Sequence, residues 1–266
     1  MYKAFYGLSE KPFSVTPDPR FLYMSSGHRE ALARLEYAVE ECELALLTGE
    51  IGCGKTTISR ALMDQMGERC RFCFVINPRL GSTELLRVIA AGLEVGEVPQ
   101  EKDRLLSEIT DALFKMHEER VTPVVVIDEA QLIPDRELFD EIRLLTNFQL
   151  DDKNLLSVII MGQPELRGIL TSPVYEPLRQ RISLNFHLAP LSLEETLEYL
   201  DFRIQAAGGV PGLFSPDAVQ RIFELSAGVP RRINTIATNA LLAGFGRDIA
   251  WIDAELVDEA AGESLA

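Results

Sequence analysis

Apolar residues recur with two different periods along this 266-residue chain. Spacings of three and four over 27–41, 55–67, 82–93, 103–120 and 135–148 predict helices. Short continuous apolar runs at 44–47, 71–76, 124–127, 155–161 and 182–188 predict strands. The two kinds alternate up to about residue 190, the pattern of a parallel sheet with helices on both faces. Beyond Pro190 only helical signals remain. Ser192 stands three residues before Glu195 as a capping box, and further helices are expected over 215–226, 230–243 and 253–260. The expected organisation is an α/β domain over 1–190 followed by a smaller helical lid over 191–266, with no internal repeats.

The apolar run ending at Leu47 leads into Gly49-Glu50-Ile51-Gly52-Cys53-Gly54-Lys55-Thr56, with Thr57 following. This fits the phosphate-binding loop G-x-x-x-x-G-K-[ST] at every fixed position. Glycines let the backbone curl so that several N–H groups point inward, and the helix that follows adds its positive end to the same anion site. Lys55 is placed to reach the β- and γ-phosphates, and the Thr56 hydroxyl to ligate the magnesium that bridges them.

A phosphate loop alone serves kinases, GTPases and motors, so the second motif decides the class. Val124-Val125-Val126-Ile127 is an unbroken β-branched run, as expected of a strand buried on both faces, and Asp128-Glu129 follows at its C-terminal end. Ligands of open α/β sheets bind at that edge. Asp128 is thus a candidate for the magnesium shell, and Glu129 for orienting or deprotonating an attacking water. Gln163 follows the 155–161 run and could bridge a water and the γ-phosphate; the plainer reading is a turn residue before Pro164.

Two arginine pairs are candidates for charge stabilisation. Arg179 and Arg181 precede the 182–188 strand, as surface ion-pairing groups or as an arginine finger reaching a neighbouring subunit's phosphate. In Gly228-Val229-Pro230-Arg231-Arg232, Pro230 marks a helix start, and the arginines in its first turn oppose the helix dipole. A γ-phosphate near Arg231, or a salt bridge to the acidic surface, would relieve them.

The net charge of −15, with 41 acidic against 26 basic side chains and no basic block, argues against a large nucleic-acid footprint. No apolar run is long enough to span a bilayer, and the N-terminus lacks an export signal; the expectation is a cytosolic protein. Cys70 and Cys73 have C-x-x-C spacing, but on a strand their side chains diverge, which argues against a zinc or redox pair. Cys42 reads as a packing residue. Cys53 lies where loop N–H groups and Lys55 could lower its thiol pKa; the plainer reading is a small residue that fits.

Together the phosphate loop, Asp128-Glu129, Gln163, the arginines before the last strand and Gly228-Val229-Pro230-Arg231-Arg232 resemble an AAA+ ATPase. The fold so implied is α/β: a P-loop AAA+ parallel-sheet nucleotide-binding domain followed by a small α-helical lid domain. More narrowly, Phe5-Tyr6-Gly7-Leu8, Pro12-Phe13, Pro17-Asp18-Pro19-Arg20-Phe21-Leu22-Tyr23 and His28-Arg29-Glu30-Ala31-Leu32 resemble the ATPase domain of the general secretion pathway protein A family (ExeA type). So do Asp128-Glu129-Ala130-Gln131 and Gly162-Gln163-Pro164-Glu165-Leu166.

That resemblance implies an ATP- and Mg2+-dependent ATPase. It would assemble as a homo-oligomer in a ring or filament, on the cytoplasmic side of the inner membrane, with a secretion or pilus-assembly component as partner. Gln163 would be sensor one, Arg231 sensor two, and Arg179 or Arg181 a finger acting in trans. Pro19, Phe21 and His28 would border the adenine pocket, with core packing the alternative for Phe21 and His28. Longer members continue through a transmembrane helix into a peptidoglycan-binding region. This sequence ends at Ala266, so membrane coupling is expected through a partner or not at all, in a secretion, pilus or exopolysaccharide export system. Two rival readings are a DNA-associated transposition ATPase of the TniB or TnsC type, and a weakly hydrolysing nucleotide switch that recruits a partner.

Overall fold

The computed structural model describes residues 1–14, 19–96, 98–150 and 153–264. Its helices are α1 (Tyr2–Phe5), α2 (Ser26–Glu40), α3 (Lys55–Met66), α4 (Ser82–Gly92), α5 (Lys102–Glu118), α6 (Arg136–Leu145), α7 (Pro164–Leu170), α8 (Glu176–Arg179), α9 (Leu193–Ala206), α10 (Pro216–Ser226), α11 (Pro230–Gly246) and α12 (Ala254–Ser264). Its strands are β1 (Leu44–Gly49), β2 (Cys70–Val75), β3 (Thr122–Ile127), the two-residue β4 (Gln149–Leu150) and β5 (Lys153–Asn154), β6 (Ser157–Gly162) and β7 (Ile182–Leu188). Two compact units form, one from His28–Gly49 and Ile58–Leu188, the other from Met1–Gly27, Glu50–Thr57 and Ala189–Ala266. The second unit therefore draws residues from both sides of position 190.

The first unit is built on a parallel sheet in the order β2-β3-β6-β1-β7. The apolar runs account for this order. Every residue of β1 and β6 is buried, as is β3 from Pro123 onward, whereas the edge strands β2 and β7 carry partly exposed positions. Central strands need apolar residues on both faces, and edge strands do not. The register pairs Ile127 with Ile160 and Thr48 with Gly162, so β1, β3 and β6 finish on one edge. Asp128 and Gln163 leave the sheet there, and the chain enters the phosphate loop from the end of β1.

Several expected element ends move, for identifiable reasons. Leu155 and Leu156 are buried but outside the ladder, because the Leu155 N–H donates to the Phe148 carbonyl at 2.8 Å; β6 starts only at Ser157. The Asp135 carboxylate caps the Leu138 N–H at 3.0 Å and fixes the start of α6 at Arg136, while its end at Leu145 falls short of the expected 148. Besides α10, which stops at Ala227, four helices stop at a residue in the left-handed region that is not glycine: Cys42, Glu94, Arg120 and Asp248, with φ of 53°, 58°, 58° and 57°. In each case the next N–H reaches back five residues, from Glu43, Val95, Val121 and Ile249 to the carbonyls of Ala38, Ala90, Met116 and Gly244. This is the Schellman closure usually marked by glycine, so the sequence carried no stop signal for it. Cys42 thus ends α2 as well as packing, and burial pushes its thiol up to about 11.

Cys73 is buried where α4 meets β2. A side chain at Gly92 would come within 2.4 Å of its sulfur, so helix and strand approach closely only because that residue is glycine. Cys70 lies three residues back on the same strand and is only half-buried.

The helical unit has its own apolar core, joining Leu191, Leu200, Ile222, Ile233 and Leu256 to Leu8, Phe13 and Phe21 from the N-terminal segment. The Phe13 and Phe214 rings meet edge to face at 6.0 Å. Arg203 on α9 is buried and donates to the carbonyls of Pro12 (2.5 Å), Ser14 (2.9 Å) and Phe21 (3.4 Å), while its guanidinium lies 5.0 Å from the Phe21 ring centroid. Through Tyr199 this cluster reaches α11, since the Tyr199 hydroxyl donates to Asn234 Oδ1 at 2.7 Å. The expected capping box at the start of α9 is present: Glu195 N–H donates to Ser192 Oγ at 3.1 Å, and the Ser192 N–H donates to Glu195 Oε2 at 3.1 Å.

Candidate functional site

In the phosphate loop the sequence dictates the backbone directly. Gly52 and Gly54 take φ of 86° and 102°, conformations that L side chains avoid, and α3 begins at once with Lys55. The buried Lys55 donates from Nζ to the Glu50 carbonyl at 3.1 Å, inside its own loop, and the Cys53 N–H donates to the same carbonyl at 3.2 Å. Thr56 is exposed in the first turn of α3, and Thr57 is partly so. Cys53 follows the plainer of its two readings. It is 1% exposed and its thiol pKa is raised, because burial outweighs the opposing pull of the Lys55 ammonium and the Glu50 carboxylate raises it further. A buried neutral thiol is a poor nucleophile, so the residue serves as loop packing.

The loop is tied to the start of α11. Pro230 opens that helix as its first residue, and the Arg231 N–H, one of the donors a helix start leaves unpaired, donates to the Gly52 carbonyl at 3.3 Å. The Arg231 and Arg232 side chains are exposed, and among the described residues neither forms an ion pair. The salt bridges that would have neutralised them are therefore not made there. A Cβ on Gly52 would lie 2.5 Å from the Arg231 Cβ. Gly52→Ala thus combines a strained φ with a clash. We expect it to weaken ATP binding roughly 10- to 100-fold, whereas Gly168→Ala, which meets nothing within 4 Å, leaves it unchanged. Titration with a fluorescent ATP analogue measures both.

The acidic pair lies in the sheet unit. The Asp128 N–H extends the ladder to the Val75 carbonyl at 3.0 Å, and the Asp128 carboxylate accepts the Glu129 N–H at 2.8 Å. Glu129 then turns into the left-handed region (φ 52°, ψ 37°) ahead of the short turn Ala130–Leu132. Its Oε2 accepts two amide donors, Gln131 Nε2 at 2.6 Å and Gln163 Nε2 at 3.0 Å. Gln163 is the residue just before α7, and its N–H donates to Gln131 Oε1 at 3.0 Å. Gln163 and Glu129 are thus brought together, with Asp128 beside Glu129. Gln131 stood in the family-like stretch Asp128-Glu129-Ala130-Gln131, but this role for it was not anticipated.

The two finger candidates differ in their surroundings. Arg179 pairs with Glu176 and donates to the carbonyls of Leu170 (3.2 Å) and Thr171 (3.0 Å), closing the C-terminal end of α7. Arg181 is exposed and donates to one neutral acceptor, Asn147 Oδ1, at 3.2 Å. Of the residues expected near the base, Phe21 is buried under Arg203, Pro19 opens a 3-10 turn (Pro19–Phe21), and His28 is buried on α2 in the sheet unit. Pro17 and Asp18 lie outside the described residues.

A parallel sheet in this order, with a glycine-shaped phosphate loop after β1 and an Asp-Glu pair after β3, defines a P-loop nucleotide-binding protein of the AAA+ class. Residues 39–170 match the family model described as an AAA domain, and the chain belongs to the AAA+ proteins. Within them it is similar to General secretion pathway protein A of Aeromonas hydrophila, at 43% identity over 253 residues. That alignment takes in 93% of this chain and 45% of the relative, so the chain spans about half the relative's length. Among solved structures, Cdc6p from Pyrobaculum aerophilum superposes with a TM-score of 0.69 at 20% identity, over 93% of this chain and 71% of that one. Drosophila ORC bound to DNA gives 0.72 at 17% identity, over 100% of this chain and 66% of that one. At such identities the likeness is one of fold. Among the described residues no helix is long and apolar enough to cross a membrane.

Proposed function

We propose that the chain hydrolyses ATP with magnesium, and assembles in a nucleotide-dependent way in the service of a cell-envelope secretion, pilus or exopolysaccharide export system. The observation that carries this reading is the Asp128-Glu129 pair at the end of a central strand, with Glu129 held by two glutamine amides. A protein that only binds nucleotide has no need of a carboxylate fixed in that way. The 43% identity to General secretion pathway protein A supports the envelope role and a place at the cytoplasmic side of the inner membrane.

In this reading the loop from Gly49 to Thr57 takes the triphosphate on its N–H groups, and Lys55 leaves the Glu50 carbonyl for the β- and γ-phosphates. Thr56 and Asp128 supply oxygen ligands suited to magnesium, which when bound would neutralise charge on the phosphates. Glu129 accepts a proton from, or orients, the attacking water, and Gln163 donates to it or to the γ-phosphate. Arg231 reads the γ-phosphate from the start of α11, and its N–H bond to Gly52 gives that helix a direct link to the loop. The α/β part and the helical part act as core and lid. Arg181 is the finger, since Arg179 is already engaged in closing α7.

The test is steady-state ATP hydrolysis per subunit over a wide range of protein concentration. The rate should rise with concentration, vanish in Lys55→Ala, and fall about 10³-fold or more in Arg181→Ala. Arg179→Ala should lose stability before it loses turnover. A flat and negligible rate in the natural chain at every concentration would overturn the hydrolysis reading in favour of a switch.

A further inference from the structure

We infer that Gln131 is the positioning residue that sets the orientation of Glu129 and ties it to the end of β6. The inference rests on the reading of Glu129 as the group that handles the attacking water. The Gln131 amide can be oriented in only one way. Its Oε1 accepts the Gln163 backbone N–H at 3.0 Å and its Nε2 donates to Glu129 Oε2 at 2.6 Å. A flipped amide would set oxygen against carboxylate and N–H against N–H.

Gln131 thereby joins two segments that the sequence keeps 32 residues apart, the turn after β3 and the start of α7. The left-handed conformation at Glu129, unfavourable for a residue with a side chain, turns the chain into the Ala130–Leu132 turn that carries Gln131. Gly162 makes room for the arrangement: a Cβ there would lie 2.9 Å from Gln131 Oε1 and 2.6 Å from Leu166 Cδ2.

The chemistry of the residue type matters as well. An amide fixes a carboxylate by hydrogen bonding without bringing a counter-charge of its own. A lysine or arginine in the same place would engage the carboxylate's charge. Gln163 supplies a second amide to the same oxygen at 3.0 Å, but its side chain also has the γ-phosphate to serve. Gln131 has its carbonyl occupied by a main-chain donor and is the fixed member of the pair.

The experiment uses the full chain and the near-isosteric Gln131→Met. Expected is a fall in kcat of about 10- to 100-fold, with KM and the affinity for a fluorescent ATP analogue within twofold of the natural chain. In a Glu129→Gln background the same substitution should have no further effect, because Gln131 acts through Glu129. An unchanged kcat, a parallel loss of affinity, or an equal fall in the Glu129→Gln background would each overturn the inference.

A second readout needs no hydrolysis. In protein labelled with 15N at glutamine, the Gln131 side-chain amide resonances, assigned by their loss in Gln131→Met, should move in Glu129→Ala. If they do not move, Gln131 does not hold Glu129. A natural chain without turnover would defeat the hydrolysis reading alone, and the amide resonances would still decide the Gln131 contact.

Discussion

Glu129→Gln should lower ATP hydrolysis by about 10²- to 10⁴-fold while leaving nucleotide binding intact. The substituted amide keeps the size of the side chain and keeps an oxygen for the Gln131 and Gln163 donors, which now sit 2.6 and 3.0 Å from Glu129 Oε2. What it loses is the negative charge and the capacity to take a proton. The variant should therefore fold normally, bind ATP with the affinity of the natural chain, and accumulate in the ATP-bound, assembled state. Single-turnover hydrolysis beside size-exclusion chromatography in ATP measures both. Turnover within threefold of the natural chain would remove Glu129 from the chemistry.

The second large effect is on stability. Arg203→Met should destabilise the protein by about 3–5 kcal/mol, because it strands buried carbonyls at Pro12, Ser14 and Phe21 that now share one guanidinium. For a chain of this size that corresponds to a Tm lower by roughly 6–20 °C, readable by calorimetry or circular dichroism. Arg203→Lys should recover only part of it, since a point-like ammonium cannot serve carbonyls that a planar fork spans. A Tm within 2 °C of the natural chain would mean that the N-terminal segment is held without the Arg203 bonds, by contacts such as Phe13 against Phe214 and Ser9 against the Ala207 carbonyl.

Much of the candidate site was legible in advance because its signals are local. Gly52 and Gly54 are needed where φ is positive, and Lys55 and Thr56 follow within the same turn, so the loop is written in consecutive residues. Asp128 and Glu129 could be placed because the run from Val124 to Ile127 has only one stable setting, a strand buried on both faces. Gln131 stood in a family-like motif, but its role was beyond reach, because it depends on β3 and β6 being neighbours in the sheet. The different surroundings of Arg179 and Arg181 were equally closed, since Arg179 is held by the carbonyls at the end of α7, a helix the apolar spacing did not announce.

At Cys53 the local argument left two readings open, and packing decides between them. Lys55 does pull its thiol pKa down, as its place in the sequence suggests, but burial pushes harder, and burial is a property of the packed molecule.

By itself the sequence determined the alternating elements, the phosphate loop and the acidic pair, because each rests on backbone preferences and periodicity within a few residues. Only the tertiary structure decided that Met1–Gly27 and Glu50–Thr57 cluster with Ala189–Ala266, that Arg203 clasps the N-terminal segment, and that Gln131 and Gln163 converge on Glu129. Those contacts join residues far apart in the chain. Their energies come from burial and hydrogen-bond geometry, which exist only once strands and helices have packed.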